Sequence, residues 1–164
     1  MPELISHTLA PVFNARSRIL ILGTMPSPRS RKTCFYYGHP QNRFWRVLAD
    51  VFAEDVPSDN RTKEAFLLRH RIALWDVLQS CSIEGADDSS IKDPVPNDLR
   101  RILENADIKA VFTTGQKATQ LYQNYCMQQT GIMTEYLPST SPANCARFSY
   151  EDLVRAYEVL KKFL

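Results

Sequence analysis

The chain has 164 residues, of which 44% are hydrophobic and 23% charged, and its formal net charge at pH 7 is +2. This composition favours one globular domain, expected to span residues 1–164, with a sizeable core, since a chain of about 150 residues hides roughly 70% of its unfolded surface. No apolar run is long enough to span a bilayer, and the N-terminus lacks the pattern of a signal peptide, so we expect a cytoplasmic protein.

Strand and helix patterns alternate along the first half of the chain. Residues 18–23, RILILG, are a short apolar run ending in glycine, which is typical of a buried strand. A proline-containing loop follows, and residues 43–52 then carry apolar side chains at helical spacing. Residues 60–71 are predicted to be helical, and residues 72–75 a second strand ending at Asp76. The polar, acidic stretch 82–98 contains two prolines and is predicted to be mostly loop.

The second half continues the alternation. Residues 98–106 and 116–129 are predicted helices, and residues 109–115, KAVFTTG, are a third strand between them. A last strand near residue 136 ends in a proline-containing loop, and Ser149 with Asp152 forms a capping box that opens the final helix. This order predicts an α/β fold with a parallel sheet covered on both faces. Ligands bind such sheets at the carboxyl ends of the strands, where the loops meet.

Carboxylates are absent from two stretches of the sequence. No Asp or Glu lies between Glu3 and Asp50, or from Tyr136 to Tyr150. The predicted topology brings the loops of both stretches to one edge of the sheet. Their basic side chains are Arg16, Arg18, Arg29, Arg31, Lys32, Arg43, Arg46 and Arg147. For any one of these an ordinary solvated side chain is the better interpretation, but together they predict a surface that binds a polyanion.

The loops of this edge carry residue types that suit nucleic acid. Aromatic side chains at 35–37 can stack on bases, although Phe35 fits better as a core anchor. Small hydroxyl side chains and a lysine at a strand-to-helix turn can contact phosphates. Turn and cap roles, or a solvated lysine, explain each of them equally well. These candidates are Ser27, Ser30, Ser139, Ser141 and Lys117.

Among the polar residues, Asn42 is the strongest candidate for a site residue. It follows His39-Pro40 at the predicted start of a helix, where it fits an N-cap or a residue that positions water. His39 is interpreted as a structural hydrogen-bonding residue. Asp76 is a second candidate for a general base, although an N-cap role for residues 76–81 fits it better. The signatures of serine hydrolases, zinc peptidases, P-loop proteins and dinucleotide-binding proteins are absent, and the four cysteines are not spaced for a metal.

Two strings resemble a known family. GTMPS at 23–27, followed by YYGHPQNRFWRVL, is similar to the first motif of the uracil-DNA glycosylase superfamily, and LPSTSPANCARF at 137–148 to its second motif. The H-P-x-N-R-F-W string is the specific part. The similarity is closest to the deoxyinosine (hypoxanthine) and mismatch-specific uracil-DNA glycosylases. It implies a three-layer α/β/α fold with a short, mainly parallel sheet, and excision of a deaminated, flipped base from DNA without metal or cofactor.

The resemblance also implies roles for individual residues. Tyr37 stacks on the flipped base, and backbone N–H groups near Thr24 and Met25, with Ser139, contact that base. The loop from Ser139 to Asn144 enters the DNA, with Arg147 on the DNA backbone. The remaining DNA contacts are expected from Ser27, Ser30, Lys117 and Ser141.

Two departures from the superfamily pattern strengthen the prediction that Asn42 is the catalytic residue. The first motif usually supplies Asn or Asp to activate water, and here Thr24 and Met25 stand in those places. The second motif usually starts with His or Asn, and here it starts with Leu137. Both departures fit the deoxyinosine branch, in which the Asn of the H-P-x-N-R-F-W string matters for catalysis. The expected function is therefore a monomeric glycosylase that removes hypoxanthine. The alternatives are a uracil or G/U mismatch glycosylase and a non-catalytic DNA-binding relative.

Overall fold

Seven strands and seven helices make up the computed structural model, which describes residues 2–164. The strands are β1 (Glu3–Ser6), β2 (Ile19–Gly23), β3 (Ile72–Asp76), β4 (Leu78–Glu84), β5 (Asp87–Pro96), β6 (Ala110–Thr114) and β7 (Thr134–Leu137). The helices are α1 (Pro28–Thr33), α2 (Phe44–Val51), α3 (Asn60–Arg69), α4 (Arg100–Leu103), α5 (Gln116–Tyr125), α6 (Met127–Thr130) and α7 (Tyr150–Tyr157). Short 3₁₀ segments cover Pro142–Asn144 and Glu158–Phe163.

A four-stranded parallel sheet forms the centre of the molecule, in the order β3-β2-β6-β7. Every residue of β2, β3 and β6 is buried. Because parallel strands covered by helices on both faces have no solvent-facing side, these segments are continuous apolar runs in the sequence. The predicted α/β fold with a short parallel sheet is confirmed, and each of its four strands lies where the sequence indicated.

The helices start and end for local reasons. The α2 helix buries one apolar face and packs against α7. The Ser149 hydroxyl accepts from the Asp152 backbone N–H, and the Asp152 carboxylate accepts from the Ser149 N–H, so the predicted capping box is confirmed. The predicted helix over 98–106 is shorter than expected, because only Arg100–Leu103 is helical. No helix in the described part of the chain combines the length and apolarity needed to cross a membrane.

The prediction of a loop over 82–98 is wrong. Strands β4 and β5 form an antiparallel hairpin with β1 on its other side, and Gly85 at its tip has a φ of 57°. The hairpin lacks regular alternation because its register shifts three times and most β5 side chains are exposed. Pro94 and Pro96 are tolerated because β5 is an edge strand, which donates few ladder hydrogen bonds. The helix that Asp76 was expected to cap is also absent, since β4 occupies those residues.

Candidate active site

A pocket of about 310 Å³ opens at the carboxyl ends of β2, β3 and β6. Its walls come from the loop after β2, the tip of the β4–β5 hairpin and the loop after β7, so the predicted edge of the sheet does carry a cavity. Eight of its lining residues were predicted from the sequence to be catalytic, base-binding or DNA-binding: Thr24, Met25, Ser27, Ser30, Tyr37, Asn42, Ser139 and Ser141. Asp76, the second candidate for a general base, also lines it. A larger, open depression beside residues 50–69 contains none of the predicted site residues.

The floor of the pocket is formed by Asp76, Tyr37 and Thr114, whose side chains meet around Gly23. Gly23 pairs with Asp76 across β2 and β3. A Cβ atom on Gly23 would lie 2.5 Å from Asp76 Oδ1 and 3.1 Å from the Tyr37 hydroxyl oxygen. The Tyr37 and Thr114 hydroxyl oxygens are 3.2 Å apart. The glycine therefore allows a carboxylate and two hydroxyl groups to converge on one point.

Asp76 is buried at the end of β3, where His7 Nε2 donates a 2.8 Å hydrogen bond to its Oδ2. The two side chains are only 2% and 6% exposed. His7 follows β1, so a residue beside the small antiparallel sheet holds Asp76 in place at the floor of the pocket. Sequence reasoning named Asp76 as a second general-base candidate, but it gave no indication of the contact with His7.

Tyr37 forms one wall with its aromatic ring. The ring stacks on Phe44 with centroids 3.9 Å apart and an interplanar angle of 12°. Its backbone φ is 52°, an uncommon conformation for a tyrosine that turns the chain sharply before Gly38. Burial raises the pKa of Tyr37, and the nearby Asp76 carboxylate raises it further, so the hydroxyl keeps its proton. Phe44 thus starts α2 and also supports the ring that was predicted to stack on a base.

The side-chain carboxamide of Asn42, which lines the pocket, is held in one orientation. Its Oδ1 accepts hydrogen bonds from the Phe44 backbone N–H at 2.9 Å and from the Thr140 hydroxyl at 2.7 Å. A backbone N–H can only donate, so this contact identifies the side-chain oxygen and leaves Nδ2 as the group available to a ligand. The pocket therefore receives N–H donors from Asn42 rather than a carbonyl acceptor.

Hydrogen bonds from Arg43 hold the loop after β7 against the start of α2. The Arg43 backbone N–H donates to the Thr140 carbonyl oxygen at 3.1 Å, and Arg43 Nη1 donates to the Phe148 carbonyl oxygen at 2.7 Å. Arg43 is only 6% exposed, and its Nε and Nη2 have no hydrogen-bond partner among the described residues. The prediction that Arg43 belongs to the phosphate-binding surface is therefore wrong, because its guanidinium is buried beneath this loop.

The four predicted serines stabilise turns around the pocket. Ser27 caps α1 by accepting from the Ser30 N–H, and Ser30 Oγ accepts from the Gly38 N–H. Ser139 Oγ accepts from the Ser141 N–H, and Ser141 Oγ accepts from Ala143 N–H. The contacts of these four serines are therefore those of turn and cap residues, although all four also line the cavity.

Three predicted DNA-binding residues do not line the pocket. Lys117 lies in the first turn of α5 beside a separate shallow depression that also includes Ser89. Asn144 Nδ2 donates to the Ser139 carbonyl oxygen at 3.0 Å and so holds the loop after β7 in shape. Arg147 follows this turn and is exposed. Their contacts with DNA remain predictions.

Asp88 lines the pocket and was missed by the sequence reasoning, because residues 82–98 were interpreted as loop. The residue lies just after the hairpin tip and is exposed overall. Desolvation nevertheless raises the pKa of its carboxyl group to about 6, although Lys117 and the Thr24 side chain favour the charged form. The only sequence signal was a glycine turn, EGADD, with two acids beside it. Among the described residues, no group of three or more His, Cys, Asp or Glu side chains is arranged to hold a metal ion.

A model of the uracil DNA glycosylase superfamily matches residues 10–161. The chain belongs to this superfamily. Two curated relatives, both called hypoxanthine DNA glycosylase, come from species of Methanosarcina. The protein from Methanosarcina barkeri is 37% identical over 136 residues, which cover 82% of this chain and 85% of the relative. The protein from Methanosarcina acetivorans is 37% identical over 140 residues, or 84% and 87% of the two chains.

A solved structure has the same superfamily fold. The solution NMR structure of a protein from Methanosarcina acetivorans superimposes with a TM-score of 0.79 at 32% sequence identity, covering 97% of this chain and 99% of the other. The resemblance that the two motifs indicated is thereby confirmed. Leu137, the first residue of the second motif, is buried at the end of β7.

Proposed function

We propose that this protein is a DNA glycosylase that removes hypoxanthine from deoxyinosine in DNA, as the first step of base excision repair. Membership of the superfamily supports the reaction, and the names of the two curated relatives support the substrate. The observation that carries the proposal is the fixed orientation of Asn42, which points N–H donors into a pocket at the expected edge of the sheet.

The pocket has the features needed to hold a flipped base. A base that leaves the duplex loses its stacking partners, at a cost of a few kcal/mol. The Tyr37 ring, supported by Phe44, offers a replacement stacking surface inside the cavity. Aromatic stacking contributes about 1–3 kcal/mol per base, which is of the same size as the cost of flipping.

Cleavage of the N-glycosidic bond places negative charge on the base and positive charge on the sugar. Backbone N–H groups near Thr24 and Met25 are suited to stabilise the leaving base, since both residues line the pocket. Asn42 Nδ2 is suited to hold the oxygen of the attacking water at the anomeric carbon. DNA phosphates stabilise the cationic sugar. We further propose that the protein is a monomer, located in the cytoplasm, that acts on single- or double-stranded DNA.

The first prediction tests Asn42. The Asn42→Ala variant removes the fixed donor and is expected to slow release of hypoxanthine about 10²–10³-fold, as loss of a preorganised donor does elsewhere. Binding to inosine-containing DNA should stay close to that of the unchanged protein. The measurement is a single-turnover assay on oligonucleotides with one deoxyinosine or one deoxyuridine, in which alkali cleaves the abasic product.

Asn124→Ala is the matched control, because Asn124 is an exposed asparagine on α5. It should release hypoxanthine at the normal rate. A near-normal rate for Asn42→Ala would contradict the assignment of Asn42. Release at deoxyuridine but not at deoxyinosine would favour the uracil alternative, and binding without any release would favour a non-catalytic relative.

A further inference from the structure

The tip of the β4–β5 hairpin forms a wall of the pocket that neither superfamily motif supplies. Ile83, Gly85, Ala86 and Asp88 all line the cavity. The hairpin faces the loop after β2, which carries Thr24 and Met25. Among these four residues, only Asp88 has a side chain that can exchange a proton.

The carboxyl group of Asp88 lies in a mixed electrostatic environment. The Asp76 carboxylate at the pocket floor repels its negative charge, whereas Lys117 on α5 and the side chain of Thr24, which lines the same pocket, stabilise the charged form. Other titratable groups around it are Asp87 on the same strand, Cys81 on β4, His7 behind Asp76, and Tyr36, Tyr37 and His39 in the pocket lining.

These surroundings shift Asp88 toward its protonated form. Desolvation is the largest effect and, with Asp76, outweighs Lys117 and Thr24, so the pKa of Asp88 rises to about 6. Bound DNA would exclude more water and bring phosphate charges nearer, and both changes raise a carboxyl pKa further. A neutral carboxyl group also avoids repulsion between the pocket and the DNA backbone. Asp88 is therefore suited to carry a proton when substrate is bound.

We propose that Asp88 is a further catalytic residue, which donates its carboxyl proton to the departing base. The bond between the anomeric carbon and N9 of hypoxanthine breaks, and its electron pair goes to the base. The Asp88 proton goes to an oxygen or nitrogen of that base, leaving Asp88 as a carboxylate. Water adds to the anomeric carbon and loses a proton to solvent, and solvent then reprotonates Asp88.

The two carboxyl groups that line the pocket, those of Asp76 and Asp88, differ in their contacts. Asp76 is the less suitable proton donor, because its Oδ2 already accepts the N–H of His7. Asn42 has no acidic proton to give. Two carboxyl groups held in different environments within one pocket are a common basis for separate acid and base roles. This inference rests on the proposed function, because it requires that a base is released.

The test compares Asp88→Asn and Asp88→Glu with the unchanged protein in single-turnover assays on a deoxyinosine oligonucleotide from pH 5 to pH 9. The Asn variant keeps the shape but cannot donate the proton, and should be about 10²–10⁴-fold slower, as expected for loss of a general acid. The Glu variant should recover most of the rate. DNA affinity of the Asn variant should not fall.

The pH profile separates catalysis from structure. Because the protonated form is the active one, the rate of the unchanged protein should fall as the pH rises through the pKa of Asp88 in the DNA complex. This decline should be absent in Asp88→Asn. Asp93→Asn is the control, since Asp93 is exposed on the same hairpin and its φ of 53° suits asparagine. It should keep both the rate and the profile.

Each outcome bears on one hypothesis. A normal rate for Asp88→Asn, or an unchanged pH profile, would overturn the role of Asp88 while leaving the proposed function intact. Failure of the unchanged protein to release any base would instead overturn the proposed function. Thermal unfolding of each variant checks folding. If Asp88→Asn unfolds, the Glu variant still decides, because loss of the decline with pH in a folded Asp88→Glu would contradict the proposal.

Discussion

Thr140 supports the orientation of Asn42 that the Phe44 N–H fixes. Thr140 is buried in the loop after β7, and its hydroxyl donates to Asn42 Oδ1, while the Phe44 N–H donates to the same oxygen from the start of α2. A rotated carboxamide would place an N–H group against the Phe44 N–H, which can only donate, so that hydrogen bond would be lost. The loop expected to enter DNA and the expected catalytic residue are therefore joined by one short hydrogen bond.

Replacement of Thr140 tests this contact. Thr140→Val keeps the shape of the side chain but loses the hydroxyl, and one hydrogen bond contributes about 0.5–1.5 kcal/mol. We expect hypoxanthine release to slow by up to about tenfold, since about 1.36 kcal/mol corresponds to a factor of ten in rate. Thr140→Ser retains the hydroxyl and should stay near the normal rate. Single-turnover rates and DNA affinities of both variants are the measurements.

The same substitution in the Asn42→Ala background distinguishes positioning from general support of the loop. If Thr140 acts through Asn42, Thr140→Val should add no further loss of rate once the carboxamide is gone. An equal loss in both backgrounds would mean that the hydroxyl stabilises the loop independently of Asn42.

Among the strands, those with a continuous apolar pattern are predicted from the sequence, and those with an irregular pattern are missed. Strands β2, β3 and β6 were located because burial on both faces makes them continuous apolar runs. The β4–β5 hairpin was missed because its shifted register and exposed outer strand remove the alternation that identifies a strand. The eight predicted pocket residues all lie in or beside the two motifs, whereas Asp88 lies in the missed hairpin. His7 meets Asp76 from 69 residues away, a contact that no local pattern encodes.

The capping box of α7 gives a prediction about stability. Ser149→Ala removes the acceptor for the Asp152 N–H at the start of the helix. We expect the free energy of unfolding to fall by about 1 kcal/mol, the usual cost of losing such a cap. Denaturant unfolding should show a lower midpoint with an unchanged slope. Ser149→Thr keeps the hydroxyl and should lose much less. Equal stability of the Ala variant would show that the cap does not contribute.

Across the whole molecule, the acid-free stretches contain both exposed and buried basic side chains. Arg29, Lys32 and Arg147 are exposed, whereas the Arg43 guanidinium is buried. Arg29 and Lys32 border a depression together with His39 and Ala86, which also line the pocket. Exposed positive charge therefore lies beside the mouth of the pocket, where the phosphates flanking a flipped nucleotide would pass.

The salt dependence of DNA binding tests this arrangement. Each basic side chain that neutralises a phosphate releases counterions, and on duplex DNA it adds about 0.9 to the steepness of log affinity against log salt concentration. Combining Arg29→Ala with Lys32→Ala should weaken binding and make the slope shallower by about 1.8, which is twice that value. Lys161→Ala with Lys162→Ala is the control of equal charge change outside both acid-free stretches, and its slope should not change. Equal slopes for the two double variants would mean that binding depends on net charge rather than on basic residues at the pocket mouth.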